Sequence, residues 1–124
     1  MPFLVLPNWE RLNRDVWSSL DKLVSTPRDM YAQLLWYRLS LVGKPELDKP
    51  QNVEALNNPE KARDVFLNLP MPENEESALS IIHGYYNLLR QFPTNISEKF
   101  RERIADWITD HNLRYTVTQD CTLK

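Results

Sequence analysis

Glycine is scarce in this chain: the 124 residues include two glycines, Gly43 and Gly84, against nine prolines. The average share of glycine in proteins is about 7 %. Such scarcity argues against phosphate-binding loops, dinucleotide-binding turns and a series of tight hairpins, which need glycine at fixed positions. Proline suits the starts and stops of helices. The composition therefore favours a mostly helical protein.

Three further absences narrow the function classes. The single cysteine, Cys121, cannot form an internal disulfide, so a reducing cytoplasm is the expected compartment. No apolar run approaches the roughly eighteen residues that a membrane span needs. A formal net charge of −2 gives no overall attraction to nucleic acid or anionic lipid. We therefore expect no membrane contact, and nucleic acid is a less favoured partner.

Apolar residues recur at helical spacing in five segments. The predicted helices cover residues 9–24, 27–42, 59–69 (a short one), 75–92 and 96–111. We expect N-terminal caps at Asn8, Thr26, Asn58, Asn74 and Asn95. Gly43 and Asn112 are expected to end helices in the left-handed conformation.

The remaining segments lack helical periodicity. Residues 44–58 are mostly polar and contain two prolines, which predicts a loop with one short helical turn near 53–56. Leu113, Tyr115 and Val117 alternate with polar residues, which predicts a strand that turns at 119–120 and returns through 122–123. Residues 3–6 are the internal candidate for pairing with it.

The expected fold is therefore mainly α: a single-domain bundle of about five helices with a small C-terminal β-strand or hairpin. Residues 1–7 form an extended segment, 8–112 the helical bundle and 113–124 the β element. Because the chain stops in strand-like sequence, the domain could be one cut from a longer protein.

The second predicted helix is apolar nearly all round, including Trp36, so we place it at the centre of the bundle or between the bundle and a partner. Arg38 lies in its apolar sector. One interpretation is an arginine whose stem lies along apolar surface or that forms an internal ion pair. The other is an arginine that reaches a carboxylate or phosphate of a partner.

The fourth predicted helix carries a second stripe of Leu79, His83, Tyr86 and Arg90, away from its core stripe. In an isolated bundle Leu79 and Tyr86 would be exposed, and tyrosine and arginine are enriched at binding hot spots. The stripe is either a partner surface or a small satellite core under residues 44–58. Gly84, within the same helix, indicates either close packing against a neighbour or close approach of a ligand.

Metal and nucleophile chemistry has little support. His83, His111 and Cys121 are the soft ligands, and their spacing matches no zinc motif. Cys121 and His111 are the candidate nucleophile–base pair, but a separation of ten residues does not specify its geometry. We predict no catalytic residue, no metal site, no cofactor and no small-molecule substrate.

The sequence favours a non-enzymatic protein–protein interaction domain, an adaptor or accessory subunit, with self-association as one form. The expected partner-binding residues are Leu79, His83, Tyr86, Arg90, Arg38 and Trp36. The alternative is a nucleic-acid-binding accessory subunit that uses helix 96–111, with Lys99, Arg101 and Arg103, and the C-terminal hairpin. Interleaved acids on that helix are more typical of a solvated face. A small enzyme is the third possibility.

Overall fold

Helices make up most of the chain in the computed structural model, which describes residues 9–124. A 3-10 turn at Trp9–Arg11 comes first. Seven α-helices follow in the described part: α1 Leu12–Asp21, α2 Met30–Val42, α3 Lys44–Leu47, α4 Pro50–Leu56, α5 Pro59–Leu67, α6 Glu75–Leu89 and α7 Ile96–Asp110. The expected mainly helical fold is confirmed. The cap at Asn8, the extended segment 1–7 and the pairing of residues 3–6 lie outside the described residues.

The loop predicted at 44–58 is wrong, because α3 and α4 occupy most of it. Pro45 and Pro50 each stand in the first turn of one of these helices. Proline is tolerated there because the missing N–H has no partner within the helix in any case. Asn52 and Ala55 turn inward and are buried. The two prolines begin short helices, and this accounts for the difference from the predicted number of helices.

Two of the predicted N-terminal caps are confirmed. The Asn58 side chain accepts hydrogen bonds from the backbone N–H groups of Glu60 and Lys61, and Asn74 accepts one from Ser77. The cap at Thr26 is wrong, and the cap at Asn95 is right in position only. The Thr26 hydroxyl donates to Asp21 and α2 begins only at Met30, while the Asn95 side chain makes no cap hydrogen bond.

The predicted C-terminal strand is also wrong, because no strand forms in the described residues. The segment 113–124 makes one isolated antiparallel bridge between Val117 and Leu123. Its turn begins at Thr118, whose N–H donates to Thr122 O at 2.9 Å, so few residues remain for a ladder. Cys121 adopts φ +61° within that turn. Cys121 and Leu123 are buried, so the segment is held by side-chain packing on the helices.

The centre of the core is a cluster of aromatic rings around Trp17 of α1. The Trp17 ring stacks on Phe100 of α7 with centroids 4.9 Å apart. It meets the rings of Tyr31, Phe66 and Tyr85 at 6.2, 5.6 and 5.8 Å with their planes steeply inclined. Edge-to-face and offset-stacked pairs contribute about 0.5–1.5 kcal/mol each beyond their buried area. One tryptophan therefore joins α1, α2, α5, α6 and α7.

A polar network closes the corner between α1 and α2. Asp21 at the end of α1 accepts hydrogen bonds from Thr26 Oγ1 and Tyr31 Oη at 2.9 and 2.6 Å. Arg63 of α5 donates to Asp21 through Nε and Nη2 at 3.0 and 2.7 Å. Burial, with Asp21 beside it, raises the pKa of Tyr31. The network fixes the start of α2, and thereby the direction of the helix that carries Trp36.

No helix in residues 9–124 combines the length and the apolar character needed to cross a membrane.

Candidate functional site

Helix α2 carries exposed apolar side chains, and the sequence predicts a helix that is apolar nearly all round, placed centrally or between the bundle and a partner. Trp36 is 55 % exposed, and Leu41 and Val42, near the end of the helix, are exposed as well. The other three tryptophans of the chain, Trp9, Trp17 and Trp107, are buried. The central helix therefore presents one large aromatic side chain to solvent.

A groove of about 580 Å³ lies between the Trp36 side of α2 and helix α6. The residues that line it are Asp29, Ala32, Gln33, Trp36, Tyr37, Leu56, Gly84, Asn87, Leu88 and Gln91. Its lining combines apolar side chains with three amides, Gln33, Asn87 and Gln91. This combination of apolar area and a few polar groups is typical of a binding pocket.

Gly84 allows the Tyr37 ring to lie against α6 in the wall of this groove. A Cβ built on Gly84 would lie 1.9 Å from Tyr37 Oη and 2.5 Å from Tyr37 Cζ, far closer than van der Waals contact. Glycine therefore lets the Tyr37 ring approach the backbone of α6. Burial of the Tyr37 hydroxyl raises its pKa. The interpretation of Gly84 as close packing against a neighbour is confirmed.

A second groove of about 490 Å³ lies on the other side of Tyr37. Its lining residues are Tyr37, Arg38, Leu41, Val42, Pro72, Glu76, Ser77, Ser80 and Ile81. Tyr37 is thus the ridge between the two grooves. We call the combined face the α2/α6 surface; its defining residues are Trp36, Tyr37, Leu41, Val42, Gly84, Leu88 and Ile81.

Arg38 lies at the base of the second groove and is 9 % exposed. Its Nη1 donates to Tyr85 Oη at 2.9 Å and lies 3.5 Å from the Met71 sulfur, and its Nη2 donates to Pro70 O at 2.9 Å. All of these acceptors are neutral. No carboxylate of the described residues forms an ion pair with Arg38. Burial raises the pKa of Tyr85 to about 12, with Arg38 opposing the rise.

The predicted stripe on α6 is largely covered, and not by residues 44–58. Tyr86, expected to be exposed, is 6 % exposed, and its hydroxyl donates to Glu98 Oε1 of α7 at 3.1 Å. Leu79 is half-buried against the core. Arg90 alone of the stripe is exposed, at the end of α6. Their role in binding a partner stays a prediction.

His83, the remaining member of the stripe, holds the C-terminal segment. Its Nδ1 lies 3.0 Å from Asp120 O, and Asn87 Nδ2 lies 3.1 Å from its Nε2. Because the amide donates to Nε2, the ring proton is assigned to Nδ1, which donates to the Asp120 carbonyl. His83 is therefore engaged within the chain.

The two groups considered for nucleophilic chemistry stand in unrelated environments. Burial raises the pKa of the Cys121 thiol to about 12, which leaves little thiolate at neutral pH. His111 is exposed, with its Nδ1 2.9 Å from Trp107 O and its ring 4.4 Å from the Trp107 ring. Within residues 9–124 no group of three or more His, Cys, Asp or Glu side chains is placed to hold a metal ion.

The basic residues of α7 are matched by acids on the same helix. Lys99 pairs with Glu102 at 3.6 Å, Arg101 with Glu98 at 3.4 Å and Arg103 with Asp106 at 3.3 Å, each three residues apart. Alternating charges of this kind form a solvated face. They do not gather into a single basic stripe.

Sequence reasoning missed several residues of the α2/α6 surface, Tyr37, Leu41 and Val42 among them. The available signal was Gly84, which indicates a closely packed neighbour but does not identify it.

Comparison with known proteins finds no relative: no family model matches the chain, and searches of curated proteins and of solved structures returned no significant match.

Proposed function

We propose that this chain is a non-enzymatic protein–protein interaction domain, an adaptor or accessory subunit, that binds its partner on the α2/α6 surface. The observation that carries the proposal is Trp36, 55 % exposed beside an apolar groove. Tryptophan, tyrosine and arginine dominate binding hot spots when a partner excludes water from them. Trp36, Tyr37 and Arg38 are consecutive on α2 and line this surface.

Trp36 has the properties of an anchor for a partner. Its ring supplies a large apolar area with few rotatable bonds, so its burial costs little conformational entropy. The amides of Gln33, Asn87 and Gln91 stand around the first groove, where they offer hydrogen bonds to a partner's backbone. An apolar side chain inserted between Trp36 and Leu88 would bury area on both sides.

The other predicted partner residues have different roles in this proposal. Arg90 is exposed next to Gln91 of the groove and extends the surface at the end of α6. His83 and Tyr86 support the surface from within, because they hold α6 against the C-terminal segment and α7, and Leu79 packs against the core. The buried thiol of Cys121 suits a reducing cytoplasm, where we place the protein.

Nucleic-acid binding through α7 has less support than protein binding. The ion pairs of Lys99, Arg101 and Arg103 with acids of the same helix would have to be broken or shared to contact phosphates. The predicted hairpin that would assist α7 is a single bridge.

A displayed peptide library provides the test. Panning the wild-type domain is expected to enrich peptides with apolar anchors, and these peptides should fail to bind the Trp36→Ala variant. Leu23→Ala is the matched control, because Leu23 is an exposed apolar residue, at 52 %, outside both grooves. The proposal is supported by peptides that bind the wild type and Leu23→Ala equally well but do not bind Trp36→Ala.

Two outcomes would overturn it. One is the absence of any peptide enriched on the wild type over Trp36→Ala. The other is a set of enriched peptides that require Leu23 and not Trp36. Self-association, as the case in which the partner is a second copy, is tested by light scattering: a concentration-dependent dimer should revert to a monomer with Trp36→Ala.

A further inference from the structure

We infer that Arg38 recognises an acidic side chain of the partner, which enters the second groove of the α2/α6 surface. This inference rests on the proposed function, because it specifies the chemistry of the partner segment that the surface binds.

The buried guanidinium of Arg38 lacks a countercharge among the described residues. Burying a cation is costly unless an anion or several acceptors compensate it. Tyr85, Met71 and Pro70 together engage three of the five N–H donors. The Nε–H and one Nη2–H have no acceptor in the described part of the chain. Both belong to a planar fork suited to a carboxylate.

The surroundings of Arg38 would strengthen such a pair. Leu41, Val42 and Ile81 line the groove, and apolar walls strengthen a charge–charge attraction once a partner displaces water. Ser77 and Ser80 line the same groove from α6, and their hydroxyls can donate to the second carboxylate oxygen. The pocket thus offers a buried cation with neutral donors beside it.

Glu76 is the one carboxylate that lines this groove, and it is exposed at the surface. Its charge opposes the entry of an anion. Removal of the Glu76 charge should therefore strengthen the binding of a carboxylate beside Arg38.

The second groove adjoins the first, so one partner segment can present an acidic side chain beside an apolar anchor. Tyr37 lines both grooves, so the apolar surface continues past it from Arg38 to Trp36. A single partner segment can therefore cover both grooves. An acid within that segment, followed or preceded by an apolar anchor, fits both sites.

The test uses two small probes, acetyl-Leu-Glu-amide and acetyl-Leu-Gln-amide, which differ only in one side-chain charge. Nitrogen-15 NMR follows the Nε–H of Arg38 and the amides of Ser77 and Ser80. We expect the Glu probe to shift these signals saturably and to bind at least about tenfold more tightly than the Gln probe. Added salt should reduce the difference in affinity between the Glu probe and the Gln probe.

Variants make the test decisive. Glu76→Gln should tighten binding of the Glu probe, and Ser80→Glu should weaken it, and both positions are exposed. Arg38→Gln should abolish the preference for the Glu probe; if that variant does not fold, Glu76→Gln and Ser80→Glu decide the question. Equal binding of the two probes, or no response to both exposed variants, overturns the inference.

A third probe and a variant of Trp36 distinguish a failure of this inference from a failure of the proposed function. Acetyl-leucine, which has only a terminal carboxylate, should bind less well than the Glu probe; the reverse order would overturn the side-chain assignment. Trp36→Ala should keep the preference for the Glu probe, because Trp36 lines the other groove. If peptide panning shows no dependence on Trp36 while this preference persists, the proposed function fails and Arg38 still binds a carboxylate.

Discussion

Trp17 and Trp36 belong to two regions of the same fold that use aromatic side chains in opposite ways. Trp17 is 1 % exposed and is surrounded by rings from four other helices. Trp36 is more than half exposed beside a groove lined by amides and apolar residues. Both residues lie on helices that pack into the core. An aromatic residue in a helix becomes core only where another helix covers it.

Helix α2 contains both environments. Tyr31, Leu34 and Leu35 are buried in the core, while Trp36, Leu41 and Val42 are exposed. Substitutions of the buried and of the exposed residues should therefore have separable effects on stability and on binding.

The largest effect is expected for Trp17→Ala. Removing the ring leaves a cavity where five helices meet, and such substitutions cost about 3–5 kcal/mol in the free energy of unfolding. Urea denaturation followed by circular dichroism measures this free energy. If Trp17→Ala and Trp36→Ala lowered the free energy of unfolding by similar amounts, the distinction between the two regions would be contradicted.

A smaller effect is expected for Gly84→Ala, at the base of the groove. The new methyl group would overlap the Tyr37 ring, and overpacking costs about 1–3 kcal/mol. In a Tyr37→Leu background the overlap is relieved, and alanine should then stabilise α6 by up to about 1 kcal/mol through its helix propensity. The same denaturation measurement applies. Destabilisation of equal size in both backgrounds would contradict the close contact.

Alkaline pH should destabilise the buried region gradually. Burial raises the pKa of Cys121 and of Tyr85 to about 12, above their ordinary values of 9.0 and 10.0. Above pH 9 the unfolded chain releases these protons while the folded chain retains them, so the stability that is complete at lower pH is lost as the pH rises towards 12. Denaturation midpoints at several pH values measure the loss.

Cys121→Ala provides the control for this titration, because alanine removes the thiol proton from both states. The decline in stability above pH 9 should be shallower in this variant than in the wild type. A stability that stays constant or rises up to pH 11 would contradict the burial of these groups.

Local signals in the sequence predict the helices well where a capping residue or an apolar stripe depends only on neighbouring residues. Asn58 and Asn74 cap as expected because asparagine oxygens satisfy free backbone N–H groups within the next three residues. Pro45 and Pro50 misled the prediction, because proline begins a helix as readily as it interrupts one.

The candidate site could be predicted only in part, because it depends on which helices meet. The sequence of α2 alone predicts Trp36 and Arg38 as partner residues. The covering of Tyr86 depends on Glu98 of α7, and the ridge of Tyr37 depends on Gly84 of α6. Contacts of this kind between distant residues cannot be read from helical periodicity.

The most direct measurement is the affinity of one selected peptide for wild type, Trp36→Ala and Leu23→Ala by calorimetry, with the unfolding free energy of each variant alongside. A binding hot spot contributes at least about 2 kcal/mol, or roughly thirtyfold in Kd. Trp36→Ala should lose that affinity while its stability changes by no more than about 0.5 kcal/mol, and Leu23→Ala should bind like the wild type. Unchanged affinity of Trp36→Ala, or an equal loss with Leu23→Ala, would contradict the α2/α6 surface as the binding site.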